Sequence, residues 1–454
     1  MALNRRDFVA AAGLVAPSAA LAGSLVSRNV PATPRHRVSI SVRATGAAGD
    51  GRTLDTLAFQ QALDRCAMLG GGEVVVPAGA YLIGAVAIGP ATTLRLEEGA
   101  TVTGSPDLAD YPVRQVRWEG KFVPGRIGLV SAENADGIAI TGGGRLVGNP
   151  TIASRVDRAT GLRNPALIEL VNCNGVDIGG IATQQNAMWS IHPLFCSDVR
   201  FHDMVVNGGA DGIDVDSCER VTIERCSFDT GDDCIAIKSG RGEEGNRIAR
   251  PTTDVRIADC TFRDHRWACV AIGSETSGGV RGVRVERCRM LGAGTHAVYI
   301  KSRPGRGAFI EDVTMTDLDI AGTAQGFLRL NFAGSGKQDE NPVPGLAGIP
   351  TVRNFRFANV RLHDVPALVE ATEMNPEKPL ADLTLASISG TARAGIRLAH
   401  IRHAVVKDIH VTGTTGPLIQ AYDVSGSGLE GAAPLPPPTA SGPVPAPAEP
   451  YVLR

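Results

Sequence analysis

The sequence predicts an all-β chain wound into a parallel β-helix, and three observations carry that prediction. Short runs of alternating apolar and polar residues recur along the chain, usually behind a polar or glycine-containing pair. No sustained helical periodicity separates these runs. The composition is aliphatic and turn-rich, with 54 glycines and only 4% aromatic residues, which suits short strands joined by tight turns rather than an aromatic core. Alternation with a period of two sends one side chain inward and the next outward. A single coil cannot bury its inner face, whereas stacked coils bury one another's.

Taken in order, the elements begin with a leader. Asn4-Arg5-Arg6-Asp7-Phe8 precedes an apolar stretch from Val9 to Ala22, and Ala20-Leu21-Ala22 reads as a peptidase site. Residues 1–22 thus read as a twin-arginine-type signal peptide, giving a periplasmic or secreted mature chain from Gly23. The stretch is shorter than the ~20 residues a membrane span needs, and no later segment reads as one. Asp55 to Leu69 has Phe59, Ala62, Leu63 and Cys66 on one face and ends at Gly70-Gly71-Gly72, as expected for an N-terminal capping helix. Glu73-Val74-Val75-Val76-Pro77 is expected to open the first coil. The repeated runs then start at Asp136, Asn174, Ser197, Glu219, Thr253, Arg281, Glu311, Arg353, Ala381 and Lys407. Their irregular period, about 22 to about 42 residues, places the surplus in loops. The expectation is roughly ten coils over residues 23–424, followed by a Pro/Gly/Ala-rich tail, 425–454, that is extended or disordered.

A net charge of -2 gives no electrostatic reason to expect nucleic acid or an anionic membrane as partner. Ordered ends shield a β-helix, so a monomer is the default. Cys173, Cys196 and Cys218 recur at 22 or 23 residues, each just before a strand. In stacked coils that spacing favours a ladder of free, buried thiols; one or more disulfides among the nine cysteines of an exported chain is the other reading. No Cys-x-x-Cys pair suggests a zinc site.

The chemistry concentrates in two segments, Gly209-Ala210-Asp211-Gly212-Ile213-Asp214 and Gly231-Asp232-Asp233-Cys234-Ile235. Asp211 and Asp232 stand 21 residues apart, one local coil, which makes them neighbours about 4.8 Å apart along the stack. Asp233 adds a third carboxylate. Three so close cannot all ionise freely, so at least one should hold its proton more tightly, and a protonated acid facing ionised carboxylates is what glycoside hydrolysis requires. Singly, each aspartate also suits a turn, and a carboxylate cluster also suits calcium.

These segments, with Ile272-Gly273-Ser274-Glu275, Ile300-Lys301-Ser302-Arg303-Pro304-Gly305-Arg306-Gly307 and Trp189-Ser190-Ile191-His192-Pro193, resemble the polygalacturonase-type glycoside hydrolases of family 28. The resemblance runs from about Arg43 to Gly416. It implies a right-handed, pectin-lyase-like β-helix and inverting hydrolysis of a pectic or other uronate-containing polysaccharide, without a cofactor or metal. It implies Asp232 as general acid, Asp211 and Asp233 as the pair that activates water, and Lys301 as a ligand of the uronate carboxylate. The family's histidine is replaced by Ala268 and its arginine by Tyr299, which tells against plain polygalacturonan as substrate. His265 and His296 lie near enough in sequence to compensate, or are ordinary loop residues. Trp267 suits a sugar face or packing on the outer sheet. Arg303 and Arg306 suit an anionic sugar or a solvated loop. The competing functions are a calcium-dependent lyase and a non-catalytic glycan-binding β-helix.

Overall fold

The computed structural model describes residues 38–439 together with 442 and 444, and leaves the side chains of residues 264 and 265 undescribed. The expected leader, residues 1–22, lies outside the described residues. The described chain is a right-handed parallel β-helix. Each coil contributes one strand to each of three columns. One column runs through Asn174–Gly179, Ser197–His202 and Glu219–Glu224, a second through Ala182–Gln184, Val205–Gly208 and Ser227–Thr230, and a third through Ile191–Leu194, Ile213–Asp216 and Ile235–Lys238.

The repeated runs align rung on rung. Val176, Val199, Val221, Val255, Val283, Val313, Phe355 and Leu383 pair in sequence. All are buried and form one continuous apolar interior. The residue immediately before each explains the polar pairs seen in the sequence. Gly175, Asp198, Arg220, Asp254, Gly282, Asp312, Asn354 and Asp382 all have positive φ, between 53° and 73°. Only glycine, and less readily Asp or Asn, enters that region without strain. Arg220 is the exception in type, and its guanidinium is held by Asp198 of the preceding coil at 2.7 and 2.9 Å.

The capping helix spans Thr56–Met68 and buries Ala58, Phe59, Ala62, Leu63 and Cys66 against the first coils. The coils begin earlier than the sequence suggests: Val38–Ser41 pairs in parallel with Gly72–Val76, Ile40 opposite Val74. The helix between these two strands hides their partnership in the sequence. At the other end Ile419–Ser427 runs past the expected boundary at 424, Ala433–Pro434 pairs with it, and Leu435 is buried. Apolar Val424 and Leu435 therefore keep the first part of the proline-rich segment in the stack.

All nine cysteines are free and buried. Cys173, Cys196 and Cys218 stack as expected, with the Cys196 amide donating to Cys218 Sγ at 3.3 Å. A reductant should therefore leave the thermal midpoint unchanged, and a thiol reagent should label only unfolded chain. A midpoint that drops on reduction would count against nine free thiols. Among the described residues no helix is long and apolar enough to cross a membrane.

Candidate active site

The site lies on the outer face of the third column. On that face Asp214, Ala236, Ala271, Tyr299 and Arg329 succeed one another from rung to rung. Alternation also turns Asp216, Lys238 and Lys301 outward, Asp216 pairing with Lys238 and Lys301 with Asn331. The loops entering these strands carry Asp211, then Asp232 and Asp233, then Trp267. One cleft of about 350 Å³ is lined by Asp211, Asp232, Asp233, Trp267, Tyr299 and Lys301, with Glu119, Arg155, Trp189, Lys238, Glu275 and Lys337.

The carboxylates are not left to repel one another, because each has its own cation. Lys238 Nζ donates to Asp211 Oδ2 at 3.0 Å and also touches Asp214. Lys301 Nζ donates to Asp233 Oδ2 at 2.8 Å, and Arg155 Nη2 to Asp232 Oδ2 at 2.6 Å. Asp211 and Asp233 are 6% and 5% exposed at the side chain, whereas Asp232 is 31% exposed and faces the cleft. Burial, with the charges of Asp211 and Asp232, pushes the Asp233 carboxyl up to about 6, although Lys301 pulls it down. Burial and Asp211 likewise push Asp214 well above the usual carboxylate range against the pull of Lys238. The expected raised carboxyl thus exists at Asp233. Lys238 is held well above its usual value: burial opposes its charge, and Asp211 and Asp214 outweigh that penalty.

Ala268 is fully buried, and its backbone amide donates to Asp233 Oδ1 at 3.2 Å. A main-chain donor therefore meets this carboxylate. Tyr299 packs on Ala268 and Ala271, its hydroxyl 3.3 Å from Ser335 Oγ. The Lys301 ammonium lies 5.1 Å from its ring centroid. Trp267 is 42% exposed on the rim.

Arg306 does not reach the cleft. It is fully buried, and its guanidinium donates to the carbonyls of Ser274 at 2.9 Å and Lys337 at 2.7 Å, pinning the 335–337 loop. Arg303 also lies outside the cleft lining, donating to the Gly336 carbonyl at 2.6 Å. Backbone carbonyls of a returning loop take up both arginines, which sequence spacing does not reveal. His296 is buried away from the carboxylates, and burial and Arg329 push it down to about 4, so it is neutral. The side chain of His265 lies outside those described.

Arg155, Lys238 and Glu119 complete the site without having been singled out by sequence. Glu119 sits at the turn of an antiparallel hairpin, Val113–Trp118 with Lys121–Arg126. Arg241 ties that turn down, reaching Glu119 at 3.3 Å and donating its amide to the Gly120 carbonyl at 2.9 Å. From the same hairpin Arg117 pairs with Asp216 at 3.3 Å, and Phe122 packs on Phe195 with centroids 6.3 Å apart. The hairpin therefore packs on the coils that carry Phe195, Asp216 and Arg241, beside the carboxylates. Among the described residues no three His, Cys, Asp or Glu side chains are arranged to hold a metal ion.

Comparison with known proteins agrees with this geometry. The family model of Glycosyl hydrolases family 28 matches residues 66–328. A probable polygalacturonase of Vitis vinifera is 27% identical over 367 residues, which cover 77% of this chain and 74% of that one. An exo-poly-alpha-D-galacturonosidase of Dickeya chrysanthemi is 25% identical, and the match covers 58% of this chain and 54% of that longer one. The crystal structure of a hyperthermoactive exopolygalacturonase from Thermotoga maritima superposes with a TM-score of 0.69 at 25% identity, covering 82% of this chain and 92% of that one.

Proposed function

The chain belongs to glycosyl hydrolases family 28 and is a glycosidase; from that premise we propose that it cleaves a pectic, uronate-containing polysaccharide by inversion, acting from a chain end. The carrying observation is the cleft in which Asp211, Asp232 and Asp233 meet Lys301. Asp232, the exposed carboxyl, protonates the glycosidic oxygen as the C–O bond breaks. Asp211 and Asp233 flank a water, take its proton and direct it to the opposite face of the sugar. Lys301 and Arg155 supply positive charge for uronate carboxylates, and the exposed Trp267 ring offers a surface for a sugar face. Chain-end action is supported by the names of the Dickeya and Thermotoga relatives.

A calcium-dependent lyase is disfavoured because every carboxylate of the cluster already faces an ammonium or guanidinium, a poor setting for a divalent cation. A polymer too large to enter a cell supports reading residues 1–22 as an export signal and the mature enzyme as a secreted or periplasmic monomer.

The test is product formation from a panel of pectic polymers with and without EDTA. Reducing ends should appear without the ultraviolet absorbance of unsaturated uronides, insensitive to EDTA, and the first products should be mono- or disaccharides. An EDTA-sensitive rise in absorbance would overturn the reading. The pH profile is part of the same experiment. Asp233 must be ionised to take the water's proton, and burial pushes its carboxyl up to about 6, so kcat/KM should fall below that pH, by up to about tenfold per unit.

A further inference from the structure

Four cationic side chains line the cleft, and they differ in how readily each can form a new two-pronged pair with a substrate carboxylate. Lys238 is 8% exposed and wedged between Asp211 and Asp214. Lys301 is 12% exposed and bound to Asp233. Lys337 is exposed on a loop, with an ammonium that offers no planar fork. Arg155 differs from all three. It is 37% exposed, and among the described residues it is ion-paired with the carboxylate that faces the cleft, Asp232.

The loop carrying Arg155 is built to hold its backbone still. Asn164 donates its amide to the Arg155 carbonyl at 2.9 Å and its side-chain nitrogen to the Ser154 carbonyl at 3.0 Å. Val156 and Arg163 bridge across the loop. Arg126 of the hairpin reaches Asp157 at 3.0 Å and Asn164 at 3.4 Å. Only the side chain beyond this anchored backbone is free to change partners. A guanidinium also matches a carboxylate with two parallel donors. Tyr299 leaves the cleft without a guanidinium at its own position.

Resting on the uronate reading above, we propose that Arg155 is the specificity residue that grips the carboxylate of the sugar at the scissile bond, exchanging Asp232 for it as substrate arrives. The exchange frees the Asp232 carboxylate, which takes a proton from solvent and then delivers it to the glycosidic oxygen. A methyl-esterified sugar offers no competing anion, so the guanidinium stays on Asp232. The enzyme then discriminates by charge twice, in binding and in releasing the carboxyl that faces the bond. The other charges facing this pair are Asp211, Asp233, Lys301, Lys238, Glu119, Glu275 and Lys337, and the exchange leaves their pairings unchanged.

The test compares trigalacturonate with its methyl ester on wild type, Arg155→Gln, Arg155→Lys and Lys337→Gln, by calorimetric binding and by kcat/KM. Arg155→Gln should cut the preference for the acid about tenfold to hundredfold, by weakening the acid far more than the ester. Arg155→Lys should recover part of the preference, and Lys337→Gln should keep it. An undiminished preference in Arg155→Gln, an equal loss on both ligands, or a wild type that binds both alike would overturn the proposal. A wild type that binds trigalacturonate selectively yet cleaves no pectic polymer would instead overturn the function proposed above. The binding arm would still decide the role of Arg155.

Discussion

Asp232→Asn is expected to lower kcat by about a thousandfold, within the range a positioned general acid contributes, while the thermal midpoint moves by no more than a few degrees. The two outcomes separate because of where the side chain sits. It is 31% exposed and its one ion pair, to Arg155, is also partly solvated; such pairs contribute at most about 1 kcal/mol. The amide keeps an oxygen for Arg155 but cannot deliver a proton. The comparison with Asp233→Asn is decisive for the division of roles, since Asp233 is the carboxyl that burial pushes up to about 6. If Asp232→Asn retains turnover and Asp233→Asn does not, the proton comes from the buried member of the pair and the assignment reverses. Single-turnover kinetics on a pectic oligosaccharide, with melts run alongside, gives both readouts.

Lys238→Met is expected to have the largest effect on stability, about 3–5 kcal/mol in denaturant unfolding. Methionine matches the length of the lysine stem, so the loss is electrostatic rather than a cavity. Asp214 is fully buried and touches the Lys238 ammonium, and Asp211 lies 3.0 Å from the same nitrogen. Removing the ammonium strands two carboxylates together in a poorly solvated place. The sign with pH follows from Asp214, whose folded-state proton affinity is already raised by burial and by Asp211 and rises further without Lys238. Between the ordinary carboxylate range and that raised value the folded chain holds a proton that the unfolded chain does not. Stability therefore falls as pH rises through that window. The deficit of the variant should be smaller at pH 5 than at pH 8. A deficit that shrinks with rising pH would mean that Asp214 is ionised and satisfied without the lysine.

The coils were legible in sequence because two independent constraints repeat in the same place. An apolar residue faces the interior, and directly before it a residue tolerant of positive φ turns the corner, as Asp254 does before Val255. The first strand, Val38–Ser41, was not legible, since its partner lies beyond a whole helix. In the site, Asp211 and Asp232 could be related by their separation of one coil, which is a property of the stack. Arg155 obeys no such rule. It lies between Arg145–Val147 and Ile168–Val171, in a segment whose shape is set by Arg126 and Asn164 rather than by any local period. Arg306 shows the reverse failure: beside a sequence motif it looks like an anion ligand, yet its guanidinium is buried against the carbonyls of Ser274 and Lys337, on segments some thirty residues before and after it. Periodicity locates what the helix itself positions, and is silent about what loops bring back to it.

The column of left-handed corners has a consequence for how this chain can change. Because each corner restarts the inward-outward alternation, a segment inserted between corners does not propagate a frame error into the next rung. The loop bearing Arg155 and the 335–337 loop behave as cassettes plugged into a fixed chassis. Exchange of either with a loop of different length should retune which glycan is accepted while the chassis melts as before. Diversification of substrate range can then proceed segment by segment, uncoupled from the survival of the fold.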